Sequence, residues 1–216
     1  MSARTPHRSP LAVVLLALLA EAPAHPYRMQ QLIRERRKDK IVNVHRRGSI
    51  YQTIDRLLRD ELIAVRDVAR ERGRPERTVY EISQPGRVAL RAWLSEMLAA
   101  PAAEFPEFPA ALAFLPVLEP AEVQHLLERR ALAVQQLLDA DAAEHATTAP
   151  SLPRLFLIED SYRDALLRAE LDWVHGVIDE LRSGVLRWDP DWLRTVARQF
   201  GSSPVPADDL RSTESH

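Results

Sequence analysis

Apolar residues fall into helical stripes over most of this chain and into two short β-rich runs near its middle. The run Leu11 to Ala20 follows Ser9-Pro10, a side-chain cap and a proline suited to the first helical position, and predicts a buried helix from Pro10 to Glu21 stopped by Pro23 and Pro26. Met29, Leu32 and Ile33 share one face of a second helix, from about Tyr27 to Lys38, with Arg28, Arg34, Arg36, Arg37 and Lys38 mostly off it. After a connector, Asp39 to Arg47, a third helix begins at Gly48-Ser49, in which Ile50, Ile54, Leu57 and Leu58 form the inward stripe. The opposite face is left to Ser49, Gln52, Thr53, Arg56 and Arg59. Leu62 to Val65 and Thr78 to Ile82 are β-branched and aromatic, and the polar segment between them holds Arg70, Arg72, Gly73, Arg74, Pro75 and Arg77. They predict a hairpin with a basic tip. Ser83 then caps a fourth helix with Pro85 in its first turn and Val88, Leu90, Trp93, Leu94, Met97 and Leu98 at its apolar positions.

Beyond the prolines at 101, 106 and 109 the pattern is helical throughout. Pro120 opens a helix carrying Val123, Leu127, Val134 and Leu138. From Leu152 onward, Leu155, Ile158, Tyr162, Leu166, Ala169, Trp173, Val177 and Leu181 recur at steps of three and four, which predicts one helix of about 30 residues closed near Gly184. Stripes of this length need a partner surface. An antiparallel pairing within the chain supplies part of it, and a second copy is the expected source of the rest. Trp173, Trp188 and Trp192, with Tyr162, read as core or interface residues in preference to the lining of an effector pocket. Residues 201–216 read as a disordered polar tail.

Charge divides the chain more sharply than hydropathy does. The whole molecule of 216 residues carries a formal −2, yet residues 1–99 hold 19 Lys/Arg against 11 Asp/Glu, a net +8, while residues 100–216 are at −10. A basic half followed by an acidic one points to a polyanion-binding module joined to a second module. The chain has 0 cysteines, which excludes disulfides, thiolate metal sites and a cysteine nucleophile. Its six glycines are too scattered for a phosphate-binding loop. No two of the histidines His7, His25, His45, His125, His145, His175 and His216 stand three or four apart, and no Gly-x-Ser-x-Gly turn exists. No enzyme activity, metal or cofactor is expected. Arg4 and Arg8 before the apolar run, with Glu21-Ala-Pro-Ala24 after it, imitate a signal peptide, but the run is too short to span a bilayer and reads as a core helix. A cytoplasmic location without membrane association is the expectation.

Three helices, a hairpin and a fourth helix make a winged helix-turn-helix, in which one helix fits the major groove while a basic hairpin lies along phosphates. The stretch Gly48-Ser-Ile-Tyr51, then Ile54-Asp-Arg-Leu57 and Leu62-Ile63, then Gly73-Arg-Pro-Glu-Arg-Thr-Val-Tyr80 with Ile82-Ser83 and Gly86-Arg87, resembles the PadR family of transcriptional regulators. The resemblance covers residues 10–99 closely. It implies a dimeric DNA-binding protein, usually a repressor, with inverted-repeat operators and C-terminal helices that make the dimer. Two departures stand out. Tyr51-Gln52 replaces the Tyr-Pro common in the family's recognition helix. Glu61 replaces a glycine before the first strand, at a cost of about 1 kcal/mol if its φ is positive.

The expected fold is therefore mainly α: a winged helix-turn-helix DNA-binding domain with one β-hairpin over residues 1–99, an all-α dimerisation domain over 100–200, and the tail. The candidate DNA-binding residues are Arg46, Arg47, Ser49, Tyr51, Gln52, Thr53, Arg56, Arg72 and Arg74. Tyr51 either donates its hydroxyl to a phosphate or packs beside Ile50 and Ile54, and Tyr80 is assigned to the hairpin core. The expected partners are double-stranded DNA and a second copy, with room for a small-molecule effector whose site the sequence leaves unknown. The competing reading is a winged-helix adaptor that dimerises in the same way but binds another protein.

Overall fold

The structure, a computed structural model, describes residues 8–42, 47–69, 77–148 and 152–200. The chain divides into two compact units after Glu104. In the first, α1 (Pro10–Glu21) starts where the Ser9 hydroxyl accepts from the Ala12 amide at 3.2 Å. Ala12, Leu15 and Leu16 are fully buried and Leu19 nearly so, because a helix that is apolar all round finds its lowest free energy at the centre of a core. Met29 and Ile33 of α2 (Pro26–Glu35) and Ile50, Ile54 and Leu57 of α3 (Arg47–Arg59) close over it. Arg36 donates to Glu21 at 2.7 Å and clips the end of α2 to the end of α1. That bond holds the Glu21 carboxyl below its ordinary range and the Arg36 guanidinium above its own.

The second helix is shorter than its sequence suggests. It ends at Glu35 instead of Lys38, because Arg37 takes a left-handed backbone with φ +57 and a single 3₁₀ turn, Lys38–Lys40, follows.

At the end of α3 the amide of Leu62 donates to the Leu57 carbonyl and that of Glu61 to the Leu58 carbonyl, 2.9 and 3.0 Å. This is a Schellman closure, and the residue after the cap must be left-handed. That residue is Glu61, with φ +57. The turn geometry associated with glycine is thus kept without glycine, held by the two bonds and by buried Leu57 and Leu62.

Strand β1 (Ile63–Ala69) pairs antiparallel with β2 (Arg77–Ile82) from Ile63↔Ile82 to Ala69↔Arg77, with an irregularity between Val65 and Asp67. Tyr80 exchanges both backbone bonds with Ala24 at 3.0 Å, so the segment before α2 is docked on the hairpin. Tyr80 is half-buried against the core, as expected of it. Ser83 caps α4 (Gln84–Ala99) through the Gly86 amide, 3.0 Å, and donates to the Glu61 carbonyl, 2.7 Å. Gly86 lies so close to the start of the wing that a Cβ there would stand 2.0 Å from the Leu62 carbonyl oxygen. Of the six apolar positions predicted on α4, Trp93 is buried and Leu90 packs on the core, whereas Val88, Leu94, Met97 and Leu98 are exposed.

The second unit contains α5 (Glu107–Leu112), α6 (Pro120–Thr148), α7 (Ile158–Ser183) and α8 (Pro190–Phe200). Helices α6 and α7 lie antiparallel, as the pairs Glu128–Arg182, Arg130–Glu170 and Asp141–Arg163 require. Their core is Val123, Leu127, Ala131, Val134, Leu171, Val174 and Ile178. The α6 stripe is the predicted one. The α7 stripe is only partly so: Val177 and Leu181 pack on this core, whereas Ile158, Tyr162, Leu166 and Trp173 are exposed, as is Leu155 in a separate 3₁₀ turn, Arg154–Leu157, that precedes the helix, and the inward face runs through Leu167, Leu171, Val174 and Ile178. Helix α7 has two apolar faces, and the chain's own pairing uses the one set by α6. Gly184, at φ +73, ends α7, and the Trp188 indole donates to the Leu118 carbonyl at 2.9 Å. Among the described residues no helix is long and apolar enough to cross a membrane. The tail, residues 201–216, lies outside the described residues.

Candidate nucleic-acid interface

Helix α3 is held from beneath by its apolar stripe, which fixes the side it presents outward. Ile50, Ile54 and Leu57 are at most 2% exposed. Turned by a helical step from these, Tyr51 and Gln52 are exposed, and Ser49 is half-exposed. Gln52 and Tyr51 therefore lie where a groove-inserted helix brings side chains to base edges and phosphates. Of the two readings open for Tyr51, packing beside the stripe does not hold: 57% of it is accessible.

Two of the nine candidate residues are placed otherwise. Thr53 is buried, and its hydroxyl donates back to the Ser49 carbonyl one turn earlier at 2.7 Å, a bond that satisfies the hydroxyl inside the domain. It sits on the core side of α3, between Ile50 and Leu57. Arg56 is half-buried and points inward, donating to the Ser9 hydroxyl at 3.0 Å. It braces the cap of α1 against α3, and its Nε is buried without a hydrogen bond. Neither is on the open face. Arg46, Arg72 and Arg74 lie outside the described residues, and of Arg47 only the backbone is described.

Sequence reasoning missed a cleft beside α3. Pro26, Tyr27, Gln30 and Arg34 of α2 meet Ile50 and Tyr51 of α3 around a space of about 370 Å³. Tyr27, Gln30 and Arg34 recur at steps of three and four on α2, away from buried Met29 and Ile33. That spacing was available as a signal, but it could be read only once α3 was known to lie alongside.

Four helices and a two-stranded wing, with an exposed polar edge on the third helix of a basic unit, define a winged helix-turn-helix protein. The comparison with known proteins adds a family and a fold. Residues 15–92 match the transcriptional regulator PadR-like family. The fold of the chain is similar to that of Bacillus subtilis PadR in complex with operator DNA, with a TM-score of 0.64 at 17% identity over 81% of this chain and 99% of that chain. The same protein in complex with p-coumaric acid gives a TM-score of 0.63 at 17% identity over 80% and 98%. The Vibrio cholerae virulence activator AphA gives 0.62 at 20% identity over 80% and 98%. No curated protein matches the chain significantly.

Proposed function

We propose that the protein is a sequence-specific double-stranded DNA-binding repressor that recognises an inverted-repeat operator as a homodimer. The observation that carries this reading is the open edge of α3, with Tyr51 and Gln52 exposed on a helix whose other side is locked into the core. The net +8 of residues 1–99 supplies the salt-sensitive backbone affinity that such a helix needs. The operator complex of the B. subtilis neighbour supports DNA as the ligand. A homodimer is supported by the exposed second stripe of α7, Ile158, Tyr162, Leu166 and Trp173, continued by Leu155 just before the helix, too apolar a face to leave in water along a helix of this length. Two-fold symmetry then matches the operator. The p-coumaric acid complex of the same neighbour supports a small aromatic effector as the signal.

Gel shifts against the DNA upstream of its own gene, over a salt series, test the reading. A discrete complex that weakens steeply with salt is expected. A protein that dimerises yet binds specific and random duplexes alike, or neither, refutes sequence-specific recognition and leaves the protein-binding adaptor. A promoter fusion whose output falls when the protein is supplied tests repression.

A further inference from the structure

The cleft between α2 and α3 has a composition suited to one kind of ligand. Its lining includes a guanidinium from Arg34, phenols from Tyr27 and Tyr51 and a carboxamide from Gln30, with no carboxylate among the lining residues. The charge on Arg34 is not compensated locally. Arg28, two turns earlier, pairs with Glu35 at 3.1 Å, and Arg36 pairs with Glu21 at 2.7 Å, whereas Arg34 makes no hydrogen bond or ion pair among the described residues. Tyr27 and Tyr51 are 67% and 57% exposed, and neither hydroxyl has a protein hydrogen-bond partner among the described residues. The first turn of α2 borders the cleft and adds the positive end of its dipole.

We propose that this cleft seats one backbone phosphate of each DNA half-site. Arg34 supplies the charge, and Tyr27 and Tyr51 donate to the phosphate oxygens. The assignment rests on the DNA-binding reading and deepens it, because a groove-inserted helix has a sugar-phosphate backbone running along its flank, and this cleft is the flank of α3. The contact fixes how far α3 slides along the groove and carries no sequence information itself. Tyr51 then anchors to the backbone while its neighbour Gln52 reads a base.

The test measures binding of the full-length protein to its operator and to random duplex by fluorescence anisotropy over a salt series, for wild type, Arg34→Gln and the double variant Tyr27→Phe/Tyr51→Phe. Arg34→Gln should lower the salt slope by about 0.9 per cleft engaged. The double variant should weaken both duplexes about tenfold by the same factor, with base preferences unchanged. A duplex in which single phosphates are replaced by neutral methylphosphonates locates the contact: one position per half-site should weaken wild type, and should weaken Arg34→Gln by a smaller factor because only the tyrosine contacts remain to be lost. Thermal melts confirm that these exposed substitutions leave the fold intact. If wild type binds its operator and Arg34→Gln keeps its affinity and salt slope, the phosphate seat is wrong while the DNA-binding reading stands. A loss confined to the operator makes these residues base readers and also overturns the seat. Absence of any salt-dependent complex with wild type removes both readings.

Discussion

Replacing Glu61 by glycine should make the protein more stable, although the change removes a side chain and adds backbone freedom to the unfolded chain. Glu61 sits at φ +57 directly after α3. A residue with a Cβ pays about 1–2 kcal/mol for a left-handed conformation. Glycine avoids that cost, but the unfolded state gains entropy worth about 0.4–1 kcal/mol against it. Nothing else in the closure depends on the side chain. The bonds at this turn are Glu61 amide to Leu58, Leu62 amide to Leu57, and Ser83 hydroxyl to the Glu61 carbonyl, all of them to backbone atoms of residue 61 or its neighbours. The net gain should be about 0.5–1 kcal/mol, which raises the melting temperature of a chain this long by about 1–4 °C. Urea and thermal unfolding followed by circular dichroism measure it, with Glu61→Ala as the control that keeps the Cβ and therefore the strain. Glu61→Gly at or below wild type, with Glu61→Ala equal to it, would refute the reasoning, since it would mean that the left-handed turn costs this chain nothing. Operator affinity should not change in either variant, because the α3–wing geometry is already that of a glycine turn.

The remaining expectations test other joints of the same domain. Gly86→Ala places a methyl 2.0 Å from the Leu62 carbonyl, a backbone atom that cannot rotate away; it should cost about 1–3 kcal/mol by urea unfolding, and a neutral result would mean that α4 and the wing are not packed this closely. Arg56→Ala should lose about 1 kcal/mol of stability through the Ser9 contact while leaving the salt slope of DNA binding unchanged, and a slope lower by about 1 would return Arg56 to the DNA face. Gln52→Ala should relax base preference at one position in each half-site, at mirror-related places, as binding-site selection would reveal; identical preferences at every position would remove Gln52 as a base reader. Glu21 has its carboxyl held below the usual range by Arg36, so its contribution is fully present above the unfolded carboxylate value and fades as pH falls through the folded one. Glu21→Gln should therefore narrow the stability gap between neutral and acid pH, by under about 1 kcal/mol because both partners are solvated, and an unchanged gap would show that the clip is idle.

Most of the first unit was legible because its signals are local. Ser9 and Ser83 each announce a helix start by what their own hydroxyls can accept, and the hydroxyls do accept from Ala12 and Gly86. The Ile50–Ile54–Leu57 stripe needed only the helical period. The residues misplaced on α3, Thr53 and Arg56, fail for one reason. A polar residue was assigned to water by its chemistry, whereas its depth is set by what packs over it. Thr53 can be buried because a helix offers it a carbonyl one turn back, and Arg56 because α1 begins with a hydroxyl within its reach. The end of α2 was missed for a related reason, since nothing in the run Arg36-Arg37-Lys38 forbids helix and the break is a backbone reversal at Arg37. The cleft of Tyr27, Gln30 and Arg34 is a property of two helices together, and no single-helix pattern contains it.

Helix α7 shows how a correct period can still give a wrong inside. Its sequence, with the 3₁₀ turn before it, carries one apolar series through Leu155, Ile158, Tyr162, Leu166 and Trp173, and another through Leu167, Leu171, Val174 and Ile178. Both satisfy the spacing of a buried stripe, and they lie about 140° apart around the helix. The series with the larger side chains looks like the core. The smaller one is the core, because α6 brings its own Val123, Leu127, Ala131 and Val134 and two long helices pack closely only where the facing side chains are modest. The larger series is thereby left at the surface, at exposures from 48% for Trp173 to 72% for Leu155. Among the described residues of the second unit nothing covers this face, and under the proposed homodimer a second copy is its occupant. Charging its centre, as in Tyr162→Arg with Leu166→Glu, should leave the α6–α7 pair folded but shift sedimentation from dimer to monomer. Operator binding should then weaken far more than binding to random duplex, because only the operator rewards two recognition helices held together. A variant that still sediments as a dimer would mean that the copies meet elsewhere, and the exposure of this stripe would need another explanation.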